Sequence, residues 1–461
     1  MNFLRKAFIS AAILAGAATA SAQEAKYIFY YIGDGMGMGP VMAAQTYNRM
    51  VLENDTPLTM MQMPVAGWCQ TYSASRPVTD SAAAGTALST GTKTKNSMLG
   101  MAPDTTSVTS IARILKDEGY GIGVVTSVAP DDATPGAFYA HVPNRAMYYE
   151  IGCQMAESGY EFVAGAGLRG VRDKDGKPTD LLQRFADNKV QIVYGPSQIK
   201  DINSEKVLLL NNQGTPEWNI GYTIDSIAGS LTLPQIAQTC LNHLEKQSPD
   251  KFFMMVEGGN IDHALHGNDG GTAIKEILNF DEALAIAFNF YRQHPDETLI
   301  VVTADHDTGG MAINNAKSAN PLTYVSYQKV SKEEFSNYCK GLLKSRRVYT
   351  WNDMKEYLTE NLGFFSHIPV SAEQEENLKQ KFDQTFKLRN SEDQKTLYAN
   401  FNAFAVEVFR LLNDAAGLAF TTTSHSGNPV PVFAVGAGSD RFKGFNNNTG
   451  LPMMILSSAK K

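Results

Sequence analysis

Short runs rich in β-branched and aromatic residues recur along the chain and end in Gly or an acidic residue. They are Tyr27 to Ile32, Gly121 to Ser127, Lys189 to Tyr194, Phe252 to Val256 and Thr298 to Thr303. Between some of them, at residues 107–118 and 272–292, apolar residues fall three and four apart, which predicts helices. Strands alternating with helices predict an α/β fold, with a large, mostly parallel central sheet flanked by helices. Polar residues follow these strands at once: Asp34 after the first, Asp132 and Thr134 after the second, Glu257 and Asp262 after the fourth, Asp305 and His306 after the fifth. Ligands of an open parallel sheet bind outside the carboxyl ends of its strands, so the pattern gathers these side chains on one rim.

From about residue 315 to 417 the texture becomes charged and helical, with starts of capping-box type at Ser371-x-x-Gln374 and Ser391-x-x-Gln394. Leu397, Phe401, Phe404, Val408 and Leu411 form one apolar stripe. These features predict an inserted helical subdomain whose stripe packs on the main domain, a lid or partner surface being the alternative. The run Val430 to Val435 then returns to the core.

Composition adds the compartment. Arg5-Lys6, an apolar run from Ala7 to Ala18 and Ala20-Ser21-Ala22 have the order of a cleaved secretory signal, so residues 1–22 are set apart from the fold. The apolar run is shorter than the roughly 20 residues of a membrane span, and no later stretch is long enough, so the mature protein is expected to be exported, periplasmic or secreted, without a span. A net charge of −7 argues against a nucleic-acid-binding surface, which needs clustered Lys and Arg. Cys69, Cys153, Cys240 and Cys339 show no paired spacing of the kind that binds metal or carries redox chemistry. Export permits disulfides, and buried thiols are the other reading.

Asp262 and His266, four apart, point the same way on a helical turn and can share a metal ion; the same spacing also describes a solvated pair. Asp305-His306 precede Asp307-Thr308-Gly309-Gly310, and His425 lies in a loop before a strand. Asp34 sits in Gly33-Asp34-Gly35-Met36-Gly37-Met38-Gly39, either a phosphate cradle or a tight bend, which fails the dinucleotide fingerprint. Carboxylates and imidazoles after successive strands suit zinc and magnesium, with enough groups for two nitrogen-and-oxygen sites and one all-oxygen site. Ser81 precedes small residues as if a helix begins there. A nucleophile at a helix N-terminus gains N–H donors and a positive dipole end for a phosphoryl group, although a plain helix cap has the same look. Arg145 can grip two phosphate oxygens at once.

Jointly, Gly-Asp34-Gly-Met-Gly, Thr-Asp80-Ser81-Ala-Ala, Asp132-Ala-Thr134-Pro with Arg145, Glu257-Gly-Gly-Asn-Ile-Asp262-His263-Ala-Leu-His266, Thr-Ala-Asp305-His306 and His425-Ser-Gly closely resemble, in the same order, the alkaline phosphatase family. The resemblance implies one catalytic domain over residues 23–461 with the helical insertion inside it, and a homodimer. It implies that Asp262, His266 and His425 hold one zinc ion, and that Asp34, Asp305 and His306 hold a second, facing Ser81. Asp34 would bridge to a magnesium ion held by Thr134 and Glu257, with Asp132 close by, and Arg145 would orient the phosphate. The implied activity is hydrolysis of phosphate monoesters through a phosphoserine.

One departure stands out. His263 occupies the place of a lysine in the best-known enteric member, whereas Asp132 keeps that enzyme's aspartate; animal members share only the histidine. His263 is expected to support the ligands from behind, a purely structural role being equally open. The competing functions are a phosphodiesterase of the same superfamily and a non-catalytic exported protein that captures phosphate or metal. Glu257, Thr134 and Arg145 favour monoesters, whose extra charge a third cation and an arginine match.

Overall fold

The computed structural model describes residues 24–314, 318–345 and 348–460, so the signal expected at residues 1–22 lies outside the described residues. One sheet is built from β1 Tyr27–Ile32, β2 Val65–Gln70, β3 Gly121–Thr126, β4 Phe162–Gly165, β5 Gln191–Tyr194, β6 Val207–Leu210, β7 Phe252–Glu257, β8 Thr298–Thr303, β9 Val430–Gly436 and β10 Gly444–Asn447. Its order is β10-β2-β9-β8-β1-β7-β3-β4-β6-β5. Every neighbouring pair is parallel except the two that β9 makes, with β8 and with β2. This is the mostly parallel α/β sheet expected. Strands β3, β7 and β8 are buried throughout, and β1 nearly so, which is why each reads as an unbroken apolar run.

Register explains how the rim is assembled. Ile32 pairs with both Glu257 and Thr303, and Thr126 with Glu257, so the adjacent strands β8, β1, β7 and β3 end at one level. The residues that follow each strand therefore emerge side by side. Strand β9 runs the other way, which puts its beginning at the same rim. The loop before it pairs back onto the loop after β8, His425 opposite Thr308 and Ser426 opposite Asp307.

Three helices matter for the site: α1 (Ser81–Thr90), α2 (Asn260–His266) and α3 (Gly270–Gln293). On α3, Glu276 is buried, and its Oε1 accepts from the Thr223 N–H at 2.7 Å. Burial raises its carboxyl from 4.5 to about 7. The folded protein thus binds this proton more tightly than the unfolded chain. The associated stability is complete below pH 4.5 and is lost as pH rises through about 7. Glu276→Gln, which keeps the acceptor, is expected to stabilise the protein by roughly 2–3 kcal/mol at pH 8 and to change nothing at pH 4. Denaturant midpoints for both proteins at the two pH values check this; coincident midpoints at pH 8 contradict it.

Residues beyond Asn320 carry α4 (Lys332–Lys344), α5 (Trp351–Leu362), α6 (Ala372–Phe382) and α7 (Ala403–Ala416) around a hydrophobic core of their own. Phe404, Val408 and Leu411 belong to that core, so these three members of the stripe pack inside the insert, whereas Phe401 is buried against Gly267 of the main domain. Its first member differs again: Leu397 is 59% exposed, on a hairpin formed by Gln394–Lys395 and Asn400–Phe401. The capping box at Ser371 is present, with Ser371 and Gln374 bonded reciprocally. Ser391-x-x-Gln394 starts no helix, because Gln394 pairs with Phe401 in the hairpin and the Ser391 hydroxyl donates to Thr385 Oγ1 at 3.1 Å. The four cysteines are unpaired. Among the described residues no helix is long and apolar enough to cross a membrane.

Candidate active site

Ser81 is the first residue of α1 and is 1% exposed. Capping falls to Asp80, whose Oδ1 accepts from the Ala83 N–H at 3.0 Å and whose Oδ2 accepts from the Ser97 N–H at 2.8 Å. The serine hydroxyl is thereby free of the cap and lies 3.2 Å from His306 Nε2. It stands at the positive end of a buried helix.

After β1 the chain turns sharply. Gly35 has φ +70°, and a Cβ on it would lie 2.7 Å from Asp262 Oδ1; one on Gly37 would collide with Asp307 Oδ1 at 1.8 Å. The glycine-rich segment is thus a tight bend whose bareness lets Asp262 and Asp307 approach. The Gly35 N–H donates to Asp305 Oδ1 at 3.0 Å, fixing that carboxylate beside Asp34. His306 Nε2 lies 3.1 Å from Asp305 Oδ2 and 3.5 Å from Asp34 Oδ1. On α2, Asp262 Oδ2 is 3.4 Å from His266 Nε2, and Asp262 Oδ1 is 3.9 Å from His425 Nε2. The His306 and His425 rings stack at 3.6 Å, which joins the two groups into one cluster.

The outer nitrogens of the histidines are fixed from behind. His266 Nδ1 bonds the Thr423 carbonyl at 2.6 Å, and His425 Nδ1 the Thr79 carbonyl at 2.9 Å. A carbonyl only accepts, so each Nδ1 donates there, which aims each Nε2 inward at the cluster. Burial pushes His306 and His425 below the usual imidazole range, keeping them neutral. Burial, followed by the neighbouring carboxylates Asp305, Asp262 and Glu257, raises Asp34 well above its ordinary value. Burial likewise lifts Asp305 to about 7 and Glu257 to about 8.

The donor set fits metal ions. Asp34 Oδ1, Thr134 Oγ1, Asp262 Oδ2, His266 Nε2, Asp305 Oδ2 and His425 Nε2 are all buried without a hydrogen-bond partner. Unpaired buried polar atoms are costly, and so many on one rim call for a ligand. Ligand atoms of Asp34, Asp305 and His306, and those of Asp262, His306 and His425, lie within 4.8 Å of one another. His306 thus stands between the two expected sets, while His266 approaches the second of these groups through Asp262.

Asp132 caps the short helix Ala133–Gly136, which carries Thr134, and its Oδ1 accepts from Arg145 Nη2 at 2.8 Å. Burial opposes its charge, but Arg145 and then Arg169 hold the Asp132 carboxyl below its ordinary value. The side chain of Arg145 is 16% exposed, and its Nη1 reaches Asp80 at 4.0 Å. His263 is buried, its pKa pushed down to about 4 by burial, and its ring lies 3.9 Å from that of Tyr398.

Four residues join the cluster that the sequence reading did not single out. Thr308 bridges Asp262 and His306 Nδ1, and Asp307 holds Ser426 and Asn428 of the His425 loop. Arg169 Nη1 lies 3.5 Å from Asp132 Oδ2, with its guanidinium 3.8 Å from the Tyr148 ring; Tyr398 comes from the insert. Only the first two had a local signal, in their adjacency to His306.

A buried serine at a helix N-terminus, facing a carboxylate and imidazole cluster on the rim of a mostly parallel sheet, defines a metal-dependent hydrolytic enzyme. The alkaline phosphatase family model matches residues 25–461, and the chain belongs to that family. Alkaline phosphatase 4 of Bacillus subtilis is 27% identical over 451 residues, covering 95% of this chain and 89% of its own. The cold-active alkaline phosphatase of a psychrophilic Shewanella superposes with a TM-score of 0.78 at 27% identity, covering 94% of this chain and 100% of its own. The alkaline phosphatase of the Antarctic bacterium TAB5 does so with a TM-score of 0.65 at 25% identity, over 95% and 98%. A mutant of the TAB5 enzyme is described with Mg bound in its M3 site.

Proposed function

We propose that the protein hydrolyses phosphate monoesters to an alcohol and inorganic phosphate through a phosphoserine at Ser81, with two zinc ions and one magnesium ion bound. The observation that carries this reading is the set of unpartnered, buried ligand atoms grouped before the Ser81 hydroxyl. Asp262, His266 and His425 would hold the first zinc and Asp34, Asp305 and His306 the second; Asp34, Thr134 and Glu257 would hold magnesium, with Asp132 near it. Such ions supply Lewis-acid stabilisation of the departing oxygen, a lowered pKa for the serine hydroxyl and for water, and neutralisation of phosphoryl charge. The all-oxygen donors of the third set, and the magnesium in the TAB5 mutant, support that assignment.

Ser81 Oγ attacks phosphorus in line, at the end of α1 where the helix dipole favours the anion. Facing His306, it directs the departing ester oxygen away, toward His266 and His425. Arg145, held by Asp132, forks onto two non-bridging oxygens of the phosphoryl group. Water then cleaves the phosphoserine and restores Ser81.

Arg145→Ala is expected to lower kcat/KM for a phosphate monoester by roughly 10²- to 10³-fold, because it removes a fixed charge from the transition state. Hydrolysis of a diester, which carries one charge fewer, is expected to suffer far less. Parallel assays with p-nitrophenyl phosphate and its diester counterpart test this. Equal losses contradict monoester selectivity through Arg145, and faster diester than monoester turnover by the unmodified protein favours the diesterase reading.

We propose export as well, from the signal-like order of residues 1–22 in the sequence. The protein acts as a homodimer in this reading. Support comes from the exposed aromatics at one edge of the sheet, where Trp68 of β2 pairs with Phe445 of β10, 45% and 67% exposed, with Tyr72 nearby in sequence.

A further inference from the structure

The insert is built around its own core, yet one piece of it leaves that core and ends over the catalytic rim. This is the hairpin Gln394–Lys395 and Asn400–Phe401. Its base is fixed: Phe401 is buried, close enough to Gly267 that a Cβ there would lie 3.0 Å from its ring, and Lys332 Nζ sits 4.7 Å from the ring centroid. The Asn402 N–H donates to Ser336 Oγ at 2.8 Å. Its tip is anchored by Tyr398, whose ring lies 3.9 Å from that of His263 and 5.3 Å from that of His266.

The preceding residue behaves differently. Leu397 is 59% exposed, although leucine gains most from burial. It lines an open cleft of about 480 Å³ whose other walls join Pro77 and Val78 to the charged side chains of Arg76 and Asp80 and to His266 and His425. A cleft of this volume suits a small molecule. It opens on His266 and His425, the histidines toward which the proposed reaction sends the alcohol, and Leu397, Pro77 and Val78 supply its apolar part.

We propose that Leu397 is a specificity-determining residue that packs against the organic group of the monoester. The hairpin then selects aryl and other apolar-faced phosphates over small hydroxylated alkyl phosphates. Tyr398 is the positioning residue that holds Leu397 there through its tilted ring contact with His263. The inference rests on the phosphomonoesterase reading and adds the substrate class to it.

The test is Leu397→Ser, a change at an exposed side chain, read as a ratio between two substrates. The kcat/KM for phenyl phosphate relative to that for glycerol 2-phosphate is expected to fall about fivefold to tenfold, mainly through KM. Calorimetric binding gives a second readout that does not require turnover: affinity for phenylphosphonate relative to methylphosphonate is expected to fall by a similar factor. Unchanged ratios in both measurements overturn the inference and leave the phosphomonoesterase reading intact. Absence of hydrolysis of either ester by the unmodified protein overturns that reading instead, and the phosphonate ratio then decides the role of Leu397 by itself.

Discussion

Ser81→Ala is expected to lower phosphomonoester turnover by roughly 10⁴-fold or more, since the change removes the nucleophile and with it the covalent half-reaction. The fold is expected to be unaffected. Asp80, not Ser81, caps α1, and the serine hydroxyl has its contact with His306 inside the cluster. Removing it deletes no cap and leaves a methyl-sized side chain in a run of alanines. Acid quenching during turnover is expected to trap phosphate on Ser81 in the unmodified protein and none in the variant. Ser81→Ala turning over within tenfold of the unmodified protein, or phosphate trapped in both, contradicts nucleophilic attack by Ser81. Asp80→Ala is the informative contrast, because there the cap itself is lost, at a stability cost of about 1 kcal/mol.

The parts of the fold that were legible in the sequence are those where one physical rule acts alone. Strands β1, β3, β7 and β8 are buried on both faces and so appear as unbroken apolar runs, and the polar residues after them share a rim because the strands end in register. Strand β10 reads Gly-Phe-Asn-Asn, too polar to stand out. The hairpin failed for the opposite reason. Leu397, Phe401, Phe404 and Val408 have helical spacing, but α7 begins only at Ala403, capped by Asn402. Spacing alone does not see that the backbone before the cap doubles back. Arg169, at the start of a 3₁₀ turn, and Tyr398, in the hairpin, come from segments far from their partners in sequence, and only tertiary packing brings them to Asp132 and His263.

Metal removal is the other large effect expected. Without ions, Asp34, Asp262 and Asp305 crowd one another in a buried space, and Asp305 and Glu257 retain protons up to about 7 and about 8. Binding an ion must displace those protons, so affinity is expected to fall as pH drops below that range, and metal addition near pH 7 to release protons. Catalysis is expected to fall by roughly 10³-fold or more on chelation, the several kcal/mol that Lewis-acid stabilisation of the nucleophile and leaving oxygen supplies.

The most direct measurement of the central claim counts the metals in the mature protein and follows phosphomonoester hydrolysis through chelation, with zinc and magnesium returned separately and then together. Two zinc ions and one magnesium ion per chain, activity lost with them and fully regained only with both metals, is the predicted result. Full activity after the ions are gone, or no monoester hydrolysis from the fully metallated protein, would contradict it.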